Sequence, residues 1–156
     1  MKKVMFISSV GGHLTQILEL KKIFNDYDYV IVTEKTDVTK DMKSKYKMEY
    51  LPYGSRNQKW LYPFILLINC FKSLFYLLKY NPDVIITTGA NTAAAMCCLG
   101  KIFGKKVIYI ESFAKRTSPT VTGKMIYKLH AYSVFVVQWE TMLKFYPKAV
   151  YWGGIY

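Results

Sequence analysis

The sequence predicts a doubly wound α/β domain built on a parallel sheet, and three observations carry that prediction. Continuous apolar runs of strand length recur along the chain, segments with helical spacing of apolar residues lie between them, and the first run ends in a Gly-Gly turn that opens straight into a helical pattern. Runs apolar on both faces suit parallel strands covered on both sides, and regular alternation with helices supplies the crossovers such a sheet needs.

Taken in order, Val4 to Ile7 is the first strand and Leu14 to Phe24 the first helix. Tyr29 to Thr33 (YVIVT) is the second strand. Thr36 to Lys47 is the most polar stretch and reads as a short helix with flanking loops. Trp60 to Tyr80 is a long helix, followed by the strand Asp83 to Thr87 (DVIIT) and a helix over Thr92 to Phe103. Lys106 to Ile110 (KVIYI) and Val134 to Val137 (VFVV) are further strands, with helices at Thr122 to Leu129 and Thr141 to Phe145. No repeat or low-complexity tract interrupts the series. With 156 residues, 52% of them hydrophobic, one Rossmann-like domain over residues 1–156 is expected.

Against 22 Lys and Arg stand 10 Asp and Glu, a net charge of +12. Such a field favours an anionic partner: nucleic acid, anionic lipid or a phosphorylated ligand. Cys70, Cys97 and Cys98 show no C-x-x-C spacing and lie in apolar helical stretches, which suits buried, reduced thiols. The apolar run after Lys2 and Lys3 is too short for a signal-peptide core, so a cytoplasmic chain starting directly on a strand is expected.

Trp60 to Tyr80 has the length of a membrane span but is interrupted by Pro63, Asn69, Lys72 and Ser73. At 3.6 residues per turn, Asn69, Lys72, Ser73, Tyr76 and Lys79 share one stripe, while Leu61, Phe64, Leu67, Ile68, Phe71, Leu74, Phe75 and Leu78 cover the rest. A spanning helix would put the strands before and after it on opposite sides of the bilayer, so one sheet could not form. The expectation is an amphipathic helix lying in the membrane surface through Trp60, Phe64, Leu67, Phe71 and Leu74, with Trp60, Tyr62, Tyr76 and Tyr80 at headgroup level and the lysines toward phosphate. The alternative is a crossover helix that packs in the core.

In an open parallel sheet, ligands sit at the carboxyl ends of the strands, where helix N-termini present free N–H groups. Gly11 and Gly12 let the backbone approach an anion there, His13 donates to it or acts as a base, and Thr15 and Gln16 add polar groups. The plainer alternative is a tight turn beside a surface histidine. After DVIIT a second such loop carries Gly89, with Asn91 or Thr92 as helix cap and Ala93 to Ala95 beyond, residues that also suit simple packing. After the next strand come Glu111, Ser112, Lys115, Arg116, Thr117, Ser118 and Thr120, a polar lining suited to a sugar phosphate. Glu34 ends the second strand where a ribose-binding acid belongs in a dinucleotide site, yet G-x-G-x-x-G is absent. The aromatics, 17% of the chain, mostly alternate with aliphatics and do not form stacking platforms for nucleic acid. His13 and His130 lack companions at metal-ligand spacing, so no metal is expected.

With these residues in place, the chain resembles the amino-terminal half of GT-B glycosyltransferases that act on lipid-linked acceptors. SVGGH is similar to the glycine-rich loop and histidine of the lipid II N-acetylglucosaminyltransferase, and TTGANTAAAMCCLGKIFGKKVIYIES to that family's second glycine loop, helix and strand ending in glutamate. Over essentially the whole chain the resemblance is to the membrane-anchor subunit of the two-chain UDP-N-acetylglucosamine transferase, the asparagine-linked glycosylation fourteen family. IESFAKRTSPTVTGKMIYKLHAYSVFVVQWETMLKFYPKAVYWGG is especially like its bacterial capsule and exopolysaccharide branch.

The resemblance implies one subunit of an inverting glycosyltransferase at the cytoplasmic face of the cell membrane, peripherally bound. The acceptor would be an undecaprenyl-diphosphate-linked glycan, and a separate sugar-nucleotide-binding chain would hold the UDP-sugar donor, so this chain needs no cofactor of its own. His13 and Glu111 are the expected catalytic residues, and Gly11, Gly12, Thr15, Gly89, Asn91 and Arg116 the expected acceptor-diphosphate site. Unlike the eukaryotic subunits, this chain is expected to lack an amino-terminal transmembrane helix, and unlike single-chain GT-B enzymes it is expected to lack the carboxyl-terminal donor domain, with residues 150–156 docking the partner. Two rivals remain: a non-catalytic scaffold or enhancer of the transferase chain, and a nucleotide-binding redox domain.

Overall fold

The computed structural model describes residues 1–54 and 60–156. One seven-stranded sheet runs in the order β3-β2-β1-β4-β5-β6-β7, with every described pair parallel. The strands are β1 (Lys3–Ser8), β2 (Asp28–Glu34), β3 (Met48–Leu51), β4 (Val84–Gly89), β5 (Lys106–Ile110), β6 (Val134–Val137) and β7 (Val150–Tyr151). The helices are α1 (Gly12–Glu19), α2 (Tyr62–Tyr80), α3 (Asn91–Ile102) and α4 (Val121–Lys128). This is the doubly wound arrangement that the apolar runs predict.

Side chains alternate across each strand, and two cores result. Met5, Ile7, Val30, Val32, Ile85 and Val107 pack with Leu77 of α2, Met96 of α3 and Ile126 of α4. Val4, Phe6 and Ile31 face the other way, onto Leu14 and Ile17 of α1 and onto Phe24.

Four expectations change in detail. The first helix stops at Glu19 and continues as a 3₁₀ helix over Leu20–Asp26. The stretch 36–47 is mostly turns, with one 3₁₀ turn at Met42–Ser44, and Thr141 to Phe145 is 3₁₀ over Glu140–Lys144 rather than α. The thiols are not uniformly buried: Cys97 is buried, Cys98 half-buried and Cys70 exposed.

The largest correction concerns α2. Its polar stripe does not face outward. Lys72 Nζ and Tyr76 Oη both donate to the Tyr50 carbonyl at 2.9 Å, and Asn69 Nδ2 donates to the Pro52 carbonyl at 3.2 Å. Lys79 Nζ and Tyr80 Oη bond Glu49 at 2.8 and 2.5 Å. An edge strand leaves carbonyls without a partner strand, and the polar stripe of α2 satisfies that of Tyr50 in β3 and that of Pro52 just beyond it. Tyr76, Tyr80 and the two lysines are therefore engaged on the protein body, not aimed at headgroups. The opposite arc, with Phe64, Leu67, Ile68, Phe71, Phe75 and Leu78, is exposed. Trp60 is also exposed, whereas Leu74 is partly buried and lies off that face.

Candidate functional site

Strand order reverses direction between β1 and β4, the two neighbours that lead to opposite edges of the sheet. A crevice opens at such a switch point, outside the carboxyl ends of the strands, and both glycine loops arrive there. Ser9 N–H donates to the Gly89 carbonyl at 3.1 Å, tying the loops together. The turn at Gly11 has φ of 80°, and that at Gly89 has φ of 96°, backbone conformations that favour glycine. Around Gly11 a side chain would meet nothing within 4 Å, while at Gly89 it would press on Tyr109 Oη and on the His13 ring.

Helix α1 starts at Gly12 and α3 at Asn91, and neither has a side-chain cap. Two helix N-termini without side-chain caps thus meet at the switch point, an arrangement suited to an anion. His13 stands in the first turn of α1, with Nδ1 2.6 Å from the Thr88 carbonyl oxygen. A carbonyl only accepts, so Nδ1 carries the hydrogen and Nε2 is the nitrogen left for other work. Thr15 is exposed, and its hydroxyl bonds back to the Gly11 carbonyl at 3.3 Å.

Beside this loop lies a polar cleft of about 320 Å³, lined among others by Ser9, Glu34, Tyr62, Asn69, Asn91 and Thr92. The buried Glu34 carboxylate accepts from Val10 N–H at 3.1 Å and from Thr92 Oγ1 at 2.6 Å, and Ser9 Oγ donates to Thr92 Oγ1 at 2.9 Å. Asn91 bonds Tyr62 Oη at 2.9 Å and accepts from Thr122 Oγ1 at 3.1 Å. Glu34, read in the sequence only as a ribose-binding acid, is the carboxylate that lines the cleft. A charged residue ending an otherwise apolar strand was the available signal. Ser9, Tyr62 and Asn69 carried none, because nothing local marks them as neighbours.

Glu111 is placed differently from expectation. It is 1% exposed, and its oxygens accept from Ser112 N–H at 2.9 Å, Thr120 Oγ1 at 2.8 Å, Thr120 N–H at 3.3 Å and Tyr146 Oη at 2.6 Å. Burial, then the Glu111 bond, push the Tyr146 hydroxyl well above its ordinary pKa, so it stays a donor. A carboxylate so enclosed braces the 112–120 loop and has no path to a substrate proton. Next to it, Gln138 Nε2 donates to Gln16 Oε1 at 2.6 Å and to the Glu111 carbonyl at 2.9 Å, joining α1, β5 and β6 beneath the crevice.

Arg116 is also apart from the glycine loops. Its guanidinium lies 4.2 Å from the Trp139 ring centroid, in a separate cleft of about 500 Å³ with Lys115, Thr117, Ser118 and Thr141. The switch point therefore gathers Gly11, Gly12, His13, Gly89 and Asn91, while Glu111 and Arg116 belong to other surroundings.

A family described as "Oligosaccharide biosynthesis protein Alg14 like" matches residues 4–155. The UDP-N-acetylglucosamine transferase subunit ALG14 of Mus musculus is 28% identical, over 98% of this chain and 82% of its own. The corresponding subunit of Schizosaccharomyces pombe is 30% identical, over 97% and 82%. The UDP-N-acetylglucosamine--N-acetylmuramyl-(pentapeptide) pyrophosphoryl-undecaprenol N-acetylglucosamine transferase of Flavobacterium psychrophilum is 26% identical over 95% of this chain but only 43% of its own length. Among solved structures, MurG of Acinetobacter baumannii superposes with a TM-score of 0.73 at 16% identity, over 90% of this chain and 43% of that one. UDP-N-acetylglucosamine 2-epimerase of Rickettsia bellii gives 0.75 at 14%, over 99% and 45%. The chain thus has the fold of one part of such enzymes and spans less than half their length.

Proposed function

Because the chain belongs to the Alg14-like family of oligosaccharide biosynthesis proteins, we propose that it is the acceptor-binding and membrane-recruiting subunit of a two-chain, UDP-sugar-dependent glycosyltransferase. The acceptor is a glycan carried on undecaprenyl diphosphate, and the product feeds capsule or exopolysaccharide assembly at the cytoplasmic face of the membrane. A partner chain binds the UDP-sugar. The observation that carries this reading is the meeting of two uncapped helix N-termini with a polar cleft, close to a helix whose apolar face points outward.

In this reading the diphosphate lies against Gly11, Gly12 and the first turns of α1 and α3, at the positive ends of the two helix dipoles, while the Ser9 and Val10 N–H groups stay on the Gly89 carbonyl and on Glu34. His13 is the base: Thr88 holds Nδ1, and Nε2 takes the proton from the acceptor hydroxyl as that oxygen attacks the anomeric carbon and UDP leaves. Glu34 and Asn69 offer hydrogen-bonding oxygens to glycan hydroxyls from the cleft wall. The exposed Tyr151, Trp152 and Tyr156 form the surface for the partner chain.

Reconstitution tests the reading. The purified chain in undecaprenyl-lipid vesicles with labelled UDP-sugar should give no transfer, and adding a sugar-nucleotide-binding partner should start it. Robust transfer by the single chain would overturn the two-chain scheme. The scaffold reading keeps one observation in its favour, the enclosure of Glu111, which removes one of the two expected bases from the chemistry.

A further inference from the structure

A second cavity runs beside the polar cleft. It has a volume of about 440 Å³, within the roughly 300–1,000 Å³ of small-molecule sites, and lies between α2, α3 and α4. Leu66, Cys70, Ala94, Ala95, Cys98 and Met125 give it an apolar lining. The sequence explains the run Ala93 to Ala95 as packing, but only Ala93 is buried. Ala94 and Ala95 are half-exposed, and their small side chains keep the space between α2 and α3 hollow.

This groove is continuous with the polar cleft. Tyr62, Leu66, Asn69, Asn91 and Thr92 line both. Its outer wall is α2, on which Cys70 is itself exposed and Leu67 of the exposed arc lies one turn before it. A ligand that fits both spaces is an amphiphile with a polar head and an apolar tail. A tail entering from the α2 side reaches the cleft without crossing water.

We propose that the groove between α2 and α3 holds the first isoprene units of the lipid acceptor, next to its diphosphate in the cleft; this rests on the reading of the cleft as an acceptor site. The protein then recognises the isoprenoid stem itself, in addition to binding the bilayer that contains it.

The thiols in the groove report on it. In a Cys70→Ser variant, Cys97 is fully buried and Cys98 is the accessible groove thiol. Burial raises the Cys98 pKa, which keeps maleimide labelling slow enough to time. Farnesyl diphosphate at about ten times its Kd should slow N-ethylmaleimide labelling of Cys98 about tenfold, while inorganic diphosphate should leave the rate unchanged. Ala95→Phe, which fills the groove, should abolish the protection. Equal rates with the two diphosphates, or undiminished protection in a folded Ala95→Phe protein, overturn the proposal. The reconstituted transfer assay, run in parallel, separates the two readings: transfer without farnesyl protection removes the groove and leaves the acceptor subunit standing.

Discussion

His13 and Thr88 clasp each other across the switch point: the imidazole Nδ1 lies 2.6 Å from the Thr88 carbonyl oxygen, and the Thr88 hydroxyl donates to the His13 carbonyl at 2.8 Å. The pair fixes the first turn of α1 against the end of β4 and chooses the imidazole tautomer at the same time. A ring held in this way presents Nε2 in one orientation, which is the property required of a general base.

In the reconstituted pair, His13→Ala should lower kcat by roughly a hundredfold or more, as loss of a general base does. His13→Gln keeps a group able to donate to the Thr88 carbonyl but has no basic nitrogen, so it should be as slow as His13→Ala. Rescue by Gln would reduce His13 to a positioning residue. Near-normal turnover of both variants, with complex and membrane binding intact, would move the chemistry to the partner chain.

The buried Glu111 makes a different kind of prediction. A Cβ on Gly123 would fall 2.2 Å from Glu111 Oε2 and 2.7 Å from both Thr120 Oγ1 and Tyr146 Oη. Gly123→Ala should therefore destabilise the fold by about 1–3 kcal/mol, in the range of overpacked cores, visible as a lower urea midpoint. Gly11→Ala meets no atoms, but φ of 80° with ψ of −143° is a backbone conformation nearly confined to glycine, so it should cost about 1–3 kcal/mol through backbone strain alone. A Gly123→Ala protein as stable as the parent would show that the Glu111 cage has slack.

Acid stability tests the seat of α2. Partial burial pushes the Glu49 carboxyl up, but hydrogen bonds from Lys79, Tyr80 and Lys43 outweigh this and hold it at about 2, below its ordinary 4.5. A carboxyl depressed in the folded state stabilises the protein above its unfolded pKa and loses that contribution as pH falls through the folded one. Thermal midpoints should drop between about pH 4.5 and 2, and Glu49→Gln should flatten that limb while lowering stability at neutral pH. An unchanged acid limb in the variant would place the acid sensitivity elsewhere.

Much of this architecture was legible because it depends on local pattern. The five apolar runs became β1, β2, β4, β5 and β6, and the helical segments near 62–80, 91–102 and 121–128 appear within a few residues of their predicted ends. The edge strands were not visible, because Met48–Leu51 carries Glu49 and Tyr50 among its four residues and Val150–Tyr151 is two residues long. Both glycine loops were legible as punctuation after strands. What Glu111 and Glu34 do was not, since a carboxylate at the end of a strand reads the same whether it lines a cleft or is enclosed by Thr120 and Tyr146. The orientation of α2 was also hidden: periodicity separates its two faces but does not say that the polar one docks on the Tyr50 carbonyl.

That inverted orientation leads to the membrane prediction. Phe64, Leu67, Ile68, Phe71, Phe75 and Leu78 occupy an arc about 100° wide at 100° per residue, and each is roughly half to two-thirds exposed. Fully burying such a side chain contributes about 1.5–3 kcal/mol, so the exposed portions still offer on the order of 1 kcal/mol each to a lipid surface. The net charge of +12 adds attraction to anionic headgroups. Because these side chains are not part of either core, replacing Phe64, Leu67, Phe71 and Phe75 with Ser should leave the urea midpoint nearly unchanged and abolish flotation with anionic vesicles. Leu74→Ser is the matched control: it is partly buried, so it should cost stability while sparing flotation. Raising the salt concentration should weaken the parent's binding without eliminating it, since screening removes the electrostatic part and leaves the apolar part. A folded quadruple variant that floats as well as the parent would take the anchor away from α2, and binding abolished by salt alone would make it purely electrostatic.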